Sequence, residues 1–260
     1  MAEKERLDIL VHTRGLAPSR EKARAMIMAG EIEVDGVAID KPGMRVSTTA
    51  ELTARSKPRF VSRGGEKLAA ALEAFPVAVE GRVCADIGAS TGGFTDVLLQ
   101  HNAAKVYAID VGYGQLDYRL RQDARVVVME RANARHIAAL PEPIDIVTID
   151  ASFISLRLLL PTARGWLAAQ ADVLPLIKPQ FEAGPQDVGK GGVVRDPAVH
   201  RRVLREVLTY ATELDLRPHG LIRSPLKGPA GNIEFVAWLR WGTDDAGPPI
   251  DTLIAAALQQ

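Results

Sequence analysis

Apolar residues follow one pattern up to about residue 54 and a different pattern beyond residue 65. In the first part, apolar positions at helical spacing predict helices over residues 7–15 and 20–29, and Ser19 is a suitable N-cap for the second helix. Short alternating segments lie on either side of Asp35-Gly36, a dipeptide that favours a β-hairpin. These features predict a small α+β unit.

Beyond residue 65, apolar strands alternate with amphipathic helices. The candidate strands, in chain order, are Val83–Ile87, Val106–Asp110, Arg125–Met129, Ile144–Asp150 and Val173–Ile177, then one near Leu221 and one over Ile233–Leu239. A long helix is predicted from Pro197 to Leu214. This alternation is typical of a mostly parallel sheet with helices on both faces. We therefore predict an α/β fold with a seven-stranded sheet.

The two patterns divide the chain into four predicted parts. They are a small domain over residues 1–59, a linker over residues 60–64, an α/β domain over residues 65–241 and a tail over residues 242–260. The junction between the domains is basic, because it contains Arg55, Lys57, Arg59 and Arg63. Residues 184–196 are rich in glycine, which predicts a flexible loop after the fifth strand.

The composition is that of a folded globular protein, with 47% apolar and 25% charged residues among 260. It excludes a disordered chain, a fibre and a membrane bundle. The 32 basic and 32 acidic side chains cancel, and a net charge of zero taken alone argues against a nucleic-acid partner. However, residues 1–63 hold 12 Lys and Arg against 9 Asp and Glu, whereas residues 64–260 hold 20 against 23. The N-terminal part is therefore the basic one.

The single cysteine, Cys84, cannot form an internal disulfide, which favours a reducing compartment. The first residues include acids and no apolar run follows them, so they do not indicate a signal peptide. No stretch reaches the roughly 18–20 apolar residues that a membrane span needs. We expect a cytoplasmic protein with no membrane role.

A glycine-rich run follows the first strand of the predicted sheet. It reads Asp86-Ile87-Gly88-Ala89-Ser90-Thr91-Gly92-Gly93-Phe94. Ligands of such sheets bind beyond the carboxyl ends of the strands. The spacing lacks the second glycine of the dinucleotide fingerprint, and no Gly-Lys-Ser/Thr of a phosphate loop is present. The run instead resembles the first motif of S-adenosylmethionine-dependent methyltransferases, which implies that these residues bind that cofactor.

Three polar residues after the second and third strands are further candidates for cofactor binding. Asp110 lies 22 residues after Gly88, where an acid can accept hydrogen bonds from ribose hydroxyls. After the third strand, either Glu130 or Asn133 could face the adenine, and the sequence does not choose between them. The alternative is structural: Asp110 caps a loop and the glycines turn the chain.

Four polar residues stand where predicted strands or helices begin or end. They are Lys67 in the first helix of the α/β domain, Asp150 after the fourth strand, Lys178 after the fifth, and Glu234 after Gly231-Asn232-Ile233. Each alone is compatible with a structural role, as a surface lysine, a strand-end cap or a sheet-edge acid. In this order the four resemble the catalytic tetrad of FtsJ-like (RrmJ-like) ribose 2′-O-methyltransferases.

The N-terminal part resembles the RNA-binding module first described in ribosomal protein S-four. The resemblance covers residues 5–54 and includes Arg6-Leu7-Asp8, Gly15-Leu16, Ser19-Arg20 and Val34-Asp35-Gly36. It implies recognition of folded RNA by its shape and backbone. The candidate RNA-binding residues of this part and the junction are Arg6, Arg14, Ser19, Arg20, Lys22, Arg24, Lys41, Arg59 and Arg63.

Over residues 5–240 the chain resembles the TlyA family. The motifs that carry the resemblance include Asp110-Val111-Gly112-Tyr113-Gly114-Gln115-Leu116, Lys178-Pro179-Gln180-Phe181-Glu182 and Ser224-Pro225-Leu226. The resemblance implies a Rossmann-like class I methyltransferase fold and S-adenosylmethionine as cofactor. It also implies a 2′-O-methyltransferase that acts on cytidines of 16S or 23S ribosomal RNA, or both, in ribosomal subunits. We expect no metal, and the target nucleotide and the oligomeric state stay open.

The chemistry requires a base, because a ribose 2′-hydroxyl is a weak nucleophile. A free lysine has a pKa of about 10.4 and is almost fully protonated at neutral pH. Burial and a second cation favour the neutral amine, so Lys67 beside Lys178 would help Lys178 to act as the base. In this hypothesis Asp150 orients Lys178 near the positive methyl donor, and Glu234 holds Lys67 or the ribose.

Three alternatives remain open at this point. The TlyA family is often labelled haemolysin, so the chain could be a cytolysin, although no membrane-inserting segment is visible. Pseudouridine synthases also carry the S-four-like module and an Arg-Leu-Asp motif, but the glycine-rich run has no role in that chemistry. An RNA-binding protein with an inactive methyltransferase fold is the third alternative.

Overall fold

The structure is a computed structural model that describes residues 3–54 and 58–259. The chain forms two compact units, which divide between Arg59 and Phe60. Arg55 and Lys57 of the basic junction lie outside the described residues. Each unit has a hydrophobic core of its own.

The small unit combines two helices with short antiparallel strands. Its elements are β1 (Lys4–Arg6), α1 (Leu7–Thr13), α2 (Arg20–Met28), β2 (Ile32–Val34), β3 (Val37–Ala38), β4 (Arg45–Ser47) and β5 (Leu52–Ala54). Strand β1 pairs with β4, and β2 lies between β3 and β5. Asp35 and Gly36 join β2 to β3 with φ values of 50° and 79°, which is the left-handed geometry of a tight hairpin turn.

Both predicted helices of the small unit are present. The Ser19 hydroxyl accepts a hydrogen bond from the backbone N–H of Lys22, so Ser19 is the predicted N-cap of α2. Leu7, Ala23 and Ile27 pack in one core between the helices and strands. Strands β1 and β4 were not predicted, because three-residue strands with charged side chains carry no apolar alternation.

The large unit is an α/β fold around a seven-stranded sheet. Its elements are α3 (Gly64–Ala74), β6 (Val83–Ile87), α4 (Gly93–Gln100), β7 (Lys105–Ile109), α5 (Tyr118–Gln122), β8 (Val126–Met129), β9 (Ile144–Ile149), α6 (Leu160–Arg164), β10 (Leu167–Ile177), α7 (Pro179–Glu182), α8 (Pro197–Glu213), β11 (Arg217–Arg223), β12 (Phe235–Trp241) and α9 (Ile250–Gln259). The strand order is β11-β12-β10-β9-β6-β7-β8. Strand β12 runs antiparallel to β10 and β11, and the remaining neighbours are parallel.

Helices cover both faces of this sheet, as predicted. Successive residues of β6 point to opposite faces: Cys84 packs in the core that contains Leu68 of α3 and Leu98 of α4. Ala85 packs in the core that contains residues of α6, α8 and α9, including Leu208. Strands that are buried on both faces have nearly continuous apolar sequences, and for this reason their positions could be predicted from the sequence.

The boundaries differ from the prediction in several places. Strand β10 begins at Leu167, six residues before the predicted start, and β12 begins at Phe235 instead of Ile233. The predicted linker over residues 60–64 belongs to the large unit, since Phe60 is 3% exposed in its core and α3 begins at Gly64. The tail over residues 242–260 includes α9, where Ile254 is buried against the sheet.

Candidate active site

The carboxyl ends of β6, β9 and β10 lie side by side and bring the predicted catalytic residues together. Gly88 follows β6, Asp150 follows β9 and Lys178 follows β10. Lys67 and Glu234 join them in lining a cavity of about 320 Å³, which we call the lysine cavity. The four predicted catalytic residues therefore share one cavity.

Lys178 and Asp150 form the first of two ion pairs in this cavity. The Lys178 Nζ lies 2.5 Å from Asp150 Oδ1, and it also donates a hydrogen bond of 3.1 Å to Ser152 Oγ. The Lys178 side chain is almost fully buried, whereas Asp150 is partly exposed to the cavity. This geometry holds the amine at the cavity wall.

Lys67 and Glu234 form the second ion pair, at 2.5 Å between Nζ and Oε2. Both side chains are buried, and Gln180 Nε2 donates a 3.0 Å hydrogen bond to the other oxygen of Glu234. Nothing in the sequence alone marks Gln180 as functional, although it lies two residues after Lys178 in the run Lys178-Pro179-Gln180-Phe181-Glu182. The carboxylate of Glu234 is thus held from two elements, α3 and α7.

The glycine-rich loop needs glycine at Gly88 for a steric reason. Gly88 has a φ of 84°, and a Cβ there would lie 2.6 Å from the backbone oxygen of Asp150. The next turn is held by Asp110, whose Oδ2 accepts a 2.8 Å hydrogen bond from the backbone N–H of Ser90. Ser90 itself has a φ of 48°. The loop therefore passes tightly over the end of β9, as a backbone cradle for a ligand does.

Asp110 and Asn133 lie together in a second cavity of about 440 Å³, which we call the Asp110 cavity. Its wall also includes Gly88, Ser90 and Asp150, which it shares with the lysine cavity. Of the two alternatives after the third strand, Asn133 lines this cavity. Glu130 instead accepts a hydrogen bond from the backbone of Gly114 and pairs with Arg121.

Asp86 differs from the prediction of direct cofactor contact, because its side chain is fully buried beneath the loop. Its oxygens accept hydrogen bonds from the hydroxyls of Thr95, at 2.7 Å, and Thr148, at 3.0 Å. Burial raises the pKa of Asp86 to about 6, and the nearby charge of Asp150 adds to the effect. The position of Asp86 suits support of the loop rather than contact with a ligand.

The polar and apolar groups that line the Asp110 cavity fit S-adenosylmethionine. Among the described residues that line this cavity there is no Lys or Arg, so the lining offers no cationic side chain to a phosphate group. The cavity offers the carboxylates of Asp110 and Asp150, the amide of Asn133 and an apolar wall that includes Ile109. Carboxylates suit ribose hydroxyls and a positively charged sulfonium.

A third cavity, of about 380 Å³, lies against Lys178 and Glu234 and carries aromatic side chains that the sequence analysis did not single out. Phe153 is 91% exposed with a φ of 61°, and its ring centroid lies 5.0 Å from that of Phe181. Gly192 of the predicted flexible loop lines this Phe153 cavity. An exposed aromatic residue in a left-handed conformation is rare and often marks a functional site.

The predicted RNA-binding residues of the small unit divide into two groups. Some are engaged within the unit: Arg6 and Arg20 pair with buried Asp8, Arg14 donates to the backbone oxygens of Thr48 and Ala50, and Ser19 caps α2. Lys22, Arg24, Lys41 and Arg59 are exposed, and so are Arg14, Ser19 and Arg20 of the first group. Arg63, in the large unit, lines the lysine cavity.

Within residues 3–54 and 58–259, no group of three or more His, Cys, Asp or Glu side chains is arranged to hold a metal ion. No helix in the same part of the chain is both long enough and apolar enough to cross a membrane.

Fold and site together define a class I methyltransferase domain that is preceded by a small domain of the S4 type. The sequence profile of FtsJ-like methyltransferases matches residues 60–241, and that of the S4 domain matches residues 5–52. The chain belongs to the FtsJ-like methyltransferase family, within its S4-containing TlyA group.

Several known proteins are similar over nearly the whole chain. The 16S/23S rRNA (cytidine-2′-O)-methyltransferase TlyA of Mycobacterium tuberculosis is 50% identical over 250 residues, which cover 95% of this chain and 93% of that protein. Hemolysin A of Brachyspira hyodysenteriae is 41% identical over 89% of this chain and 98% of its own. A solved structure of a hemolysin-named protein from Streptococcus thermophilus has a TM-score of 0.74 and 42% identity, and the match covers 100% of this chain and 97% of that one.

Proposed function

We propose that the protein transfers a methyl group from S-adenosylmethionine to the ribose 2′-hydroxyl of a cytidine in ribosomal RNA. The observation that carries this proposal is the pair of lysine–carboxylate contacts in one cavity, beside the glycine-rich loop. The printed activity of the TlyA relative supports the substrate class.

Lys178 is the base in this proposal. The Lys178 ammonium first releases a proton to solvent, and its Nζ then accepts the proton of the 2′-hydroxyl, so that the ammonium forms again beside Asp150 at 2.5 Å. Ser152 fixes the same nitrogen from a second side. Lys67 adds a positive charge that favours the oxyanion form of the nucleophile, and Glu234 with Gln180 holds Lys67 in place.

The residues of the Asp110 cavity bind the cofactor in this proposal. When bound, S-adenosylmethionine supplies an activated methyl group on a positive sulfur. Asp110 accepts hydrogen bonds from the ribose hydroxyls, Asn133 contacts the adenine side, and the backbone at Gly88 accommodates the methionine part. Asp150 lies on the wall of both cavities and places its negative charge between them.

The Phe153 cavity receives the base of the target nucleotide. Splayed-out RNA bases stack on aromatic side chains, and Phe153 offers a nearly fully exposed ring. This cavity and the lysine cavity share Lys178 and Glu234, so a nucleoside with its base on Phe153 would bring its ribose to Lys178.

The S4 domain recognises the RNA by its shape and backbone, and the substrates are ribosomal subunits that contain 16S or 23S ribosomal RNA. The basic residues of this domain supply the phosphate contacts. Because ribosomes are the substrate, we also propose that the protein acts in the cytoplasm.

The test incubates the full chain with radiolabelled S-adenosylmethionine and separated 30S and 50S subunits, and then maps the labelled nucleotide. We expect label in 16S or 23S RNA, and none with Lys178→Ala. Absence of label in every RNA would contradict the proposal and would favour the alternative, an RNA-binding protein with an inactive methyltransferase fold. Erythrocytes incubated with the same purified protein test the haemolysin name of the relatives, and lysis that persists in Lys178→Ala would reveal an activity independent of this site.

A further inference from the structure

A buried aspartate connects two arginines of the S4 domain. Asp8 has no exposed surface. Its Oδ1 accepts a hydrogen bond of 3.0 Å from Nε of Arg6, and its Oδ2 accepts one of 2.9 Å from Nε of Arg20. A terminal nitrogen of Arg6 also donates to Oδ2, at 3.1 Å. Because Arg6 precedes α1 and Arg20 begins α2, one carboxylate joins the starts of both helices.

Both arginines keep a large part of their side chains in solvent, 43% for Arg6 and 51% for Arg20. Arg20 contacts Asp8 through Nε, so its two terminal nitrogens are not used in that contact. The Arg6 guanidinium lies against Gly43, where an added Cβ would be 3.5 Å from Nη1. Gly43 belongs to the same turn as the exposed Lys41. Two arginine side chains therefore contact Asp8, and the turn that contains Lys41 lies against one of them.

Two physical effects of Asp8 on RNA binding have opposite signs. The negative charge of Asp8 repels phosphate groups, so by charge alone it weakens RNA binding. On the other hand, an arginine that is already fixed by a carboxylate loses less side-chain freedom when it binds a phosphate. The hydrogen bond from Arg6 lowers the pKa of Asp8, so the carboxylate that fixes the arginines is ionised at neutral pH.

We propose that Asp8 is a positioning residue of the RNA-binding surface, and that it orients Arg6 and Arg20 so that their outer nitrogens bind phosphate groups of one folded RNA. The inference rests on the proposed function and names the phosphate backbone as the ligand of this surface. It gives a buried acid a role in the affinity of the protein for a polyanion.

The test compares Asp8→Asn with Asp40→Asn in the full chain. Both variants remove one negative charge from the same domain, but Asp40 is exposed, whereas the buried Asp8 is the carboxylate that pairs with Arg6 and Arg20. Binding to transcribed 16S and 23S RNA is measured over a range of salt concentrations without cofactor. We expect Asp8→Asn to bind roughly tenfold more weakly, with a salt dependence reduced by about one to two phosphate contacts. We expect Asp40→Asn to bind as tightly as wild type or slightly more tightly.

The inference would be overturned if the Asp8→Asn variant bound RNA at least as tightly as wild type. It would also be overturned if the variant bound more weakly but with an unchanged salt dependence. If Asp8→Asn does not fold, Arg20→Lys replaces it, with Arg45→Lys as the matched control in the same domain. A lysine keeps the charge but has only one nitrogen, so it cannot hold Asp8 through one nitrogen and present two others to a phosphate, and Arg20→Lys should also bind more weakly. Equal binding by Arg20→Lys and wild type would contradict the inference.

This experiment separates the inference from the proposed function. Wild type that fails to bind either RNA would count against the proposed function itself. Wild type that binds, together with an Asp8→Asn variant that binds equally well, would count only against the role of Asp8.

Discussion

The Nζ of Lys178 and the Oδ1 of Asp150 are 2.5 Å apart, because the two residues directly follow neighbouring parallel strands. Pro175 of β10 is in register with Ile149 of β9, so the two strands end at nearly the same level of the sheet. The register of the sheet, rather than any local sequence motif, therefore creates the central contact of the site.

Lys178→Ala should abolish methyl transfer while leaving cofactor binding largely intact. Loss of a general base typically lowers the rate by about 10²–10⁴-fold. The rate under saturating substrate should therefore fall, whereas the affinity for S-adenosylmethionine, measured by calorimetry, should stay close to that of wild type. Lys105→Ala is the matched control, because Lys105 also pairs with a carboxylate, that of Glu142, but at the other end of the sheet. A Lys178→Ala enzyme with normal turnover would exclude Lys178 as the base.

Gly88→Ala should lower the affinity for S-adenosylmethionine strongly. A Cβ at Gly88 would lie 2.6 Å from the backbone oxygen of Asp150, so the loop must move. Gly81→Ala is the control, since Gly81 has a similar φ of 73° and nothing within 4 Å of an added Cβ. Both variants should lose about 1 kcal/mol of stability from the left-handed backbone. Equal cofactor affinity in both variants would show that the loop does not cradle the ligand.

The Lys67–Glu234 pair should be important for stability because both groups are buried. Removing one partner, as in Glu234→Gln, leaves a buried charge and should reduce the free energy of unfolding by about 3–5 kcal/mol. The double variant Lys67→Met with Glu234→Gln should lose less than the sum of the single variants. Urea denaturation of the four proteins measures this coupling.

The same double-mutant cycle on the exposed pair Lys105–Glu142 provides the comparison. Its coupling should not exceed about 1 kcal/mol, because solvent screens both charges. If the buried pair coupled as weakly as this exposed one, our description of Lys67 and Glu234 as a desolvated pair would be wrong.

Asp86 should make the protein less stable as pH rises through the mildly acidic range. Its pKa in the folded protein, about 6, lies above the ordinary value of 3.8, because burial disfavours the charged form. The stabilising contribution of the protonated carboxyl is therefore complete below pH 3.8 and is lost as pH approaches 6. The shift corresponds to about 3 kcal/mol.

Asp86→Asn removes this titration and tests its sign. The free energy of unfolding of the variant minus that of wild type should increase between about pH 4 and pH 6.5, because only wild type loses stability over this range. Chemical denaturation at a series of pH values measures the difference, in which the contributions of the other groups cancel. A difference that is constant with pH, or that changes in the opposite direction, would contradict the assignment.

Much of the fold was predictable because its signals are local. Strands β6, β7 and β9 are mostly apolar and buried on both faces, and the hairpin at Asp35-Gly36 depends on two residues that adopt a left-handed conformation. The early start of β10 was not predictable, since its first part, Leu167-Ala168-Ala169-Gln170, has no strand-like alternation. The burial of residues 60–64 in the large unit was not predictable, because Phe60 is covered by tertiary packing, including the close approach of Gly65, that carries no local pattern.

The four proposed catalytic residues could be located from their order and from their positions at the ends of elements, and the contact of Asp150 with Lys178 was expected as well. The sequence left Glu234 with two possible partners, and the structure shows it bonded to Lys67 and Gln180. Asp86 was predicted to contact the cofactor because it begins the glycine-rich run at the end of a strand. Its hydrogen bonds to Thr95 and Thr148 depend on tertiary packing, which the sequence does not show. Phe153 carried no sequence signal, because an isolated exposed aromatic residue has no pattern.

The central claim is that Lys178 removes the proton of a ribose 2′-hydroxyl, and the chemical position of the methyl group tests it most directly. Ribosomal subunits treated with the wild-type protein or with Lys178→Ala are digested to nucleosides and analysed by mass spectrometry. The account predicts 2′-O-methylcytidine with the wild-type protein and none with Lys178→Ala. A methyl group on the base, or 2′-O-methylcytidine formed equally by Lys178→Ala, would contradict it.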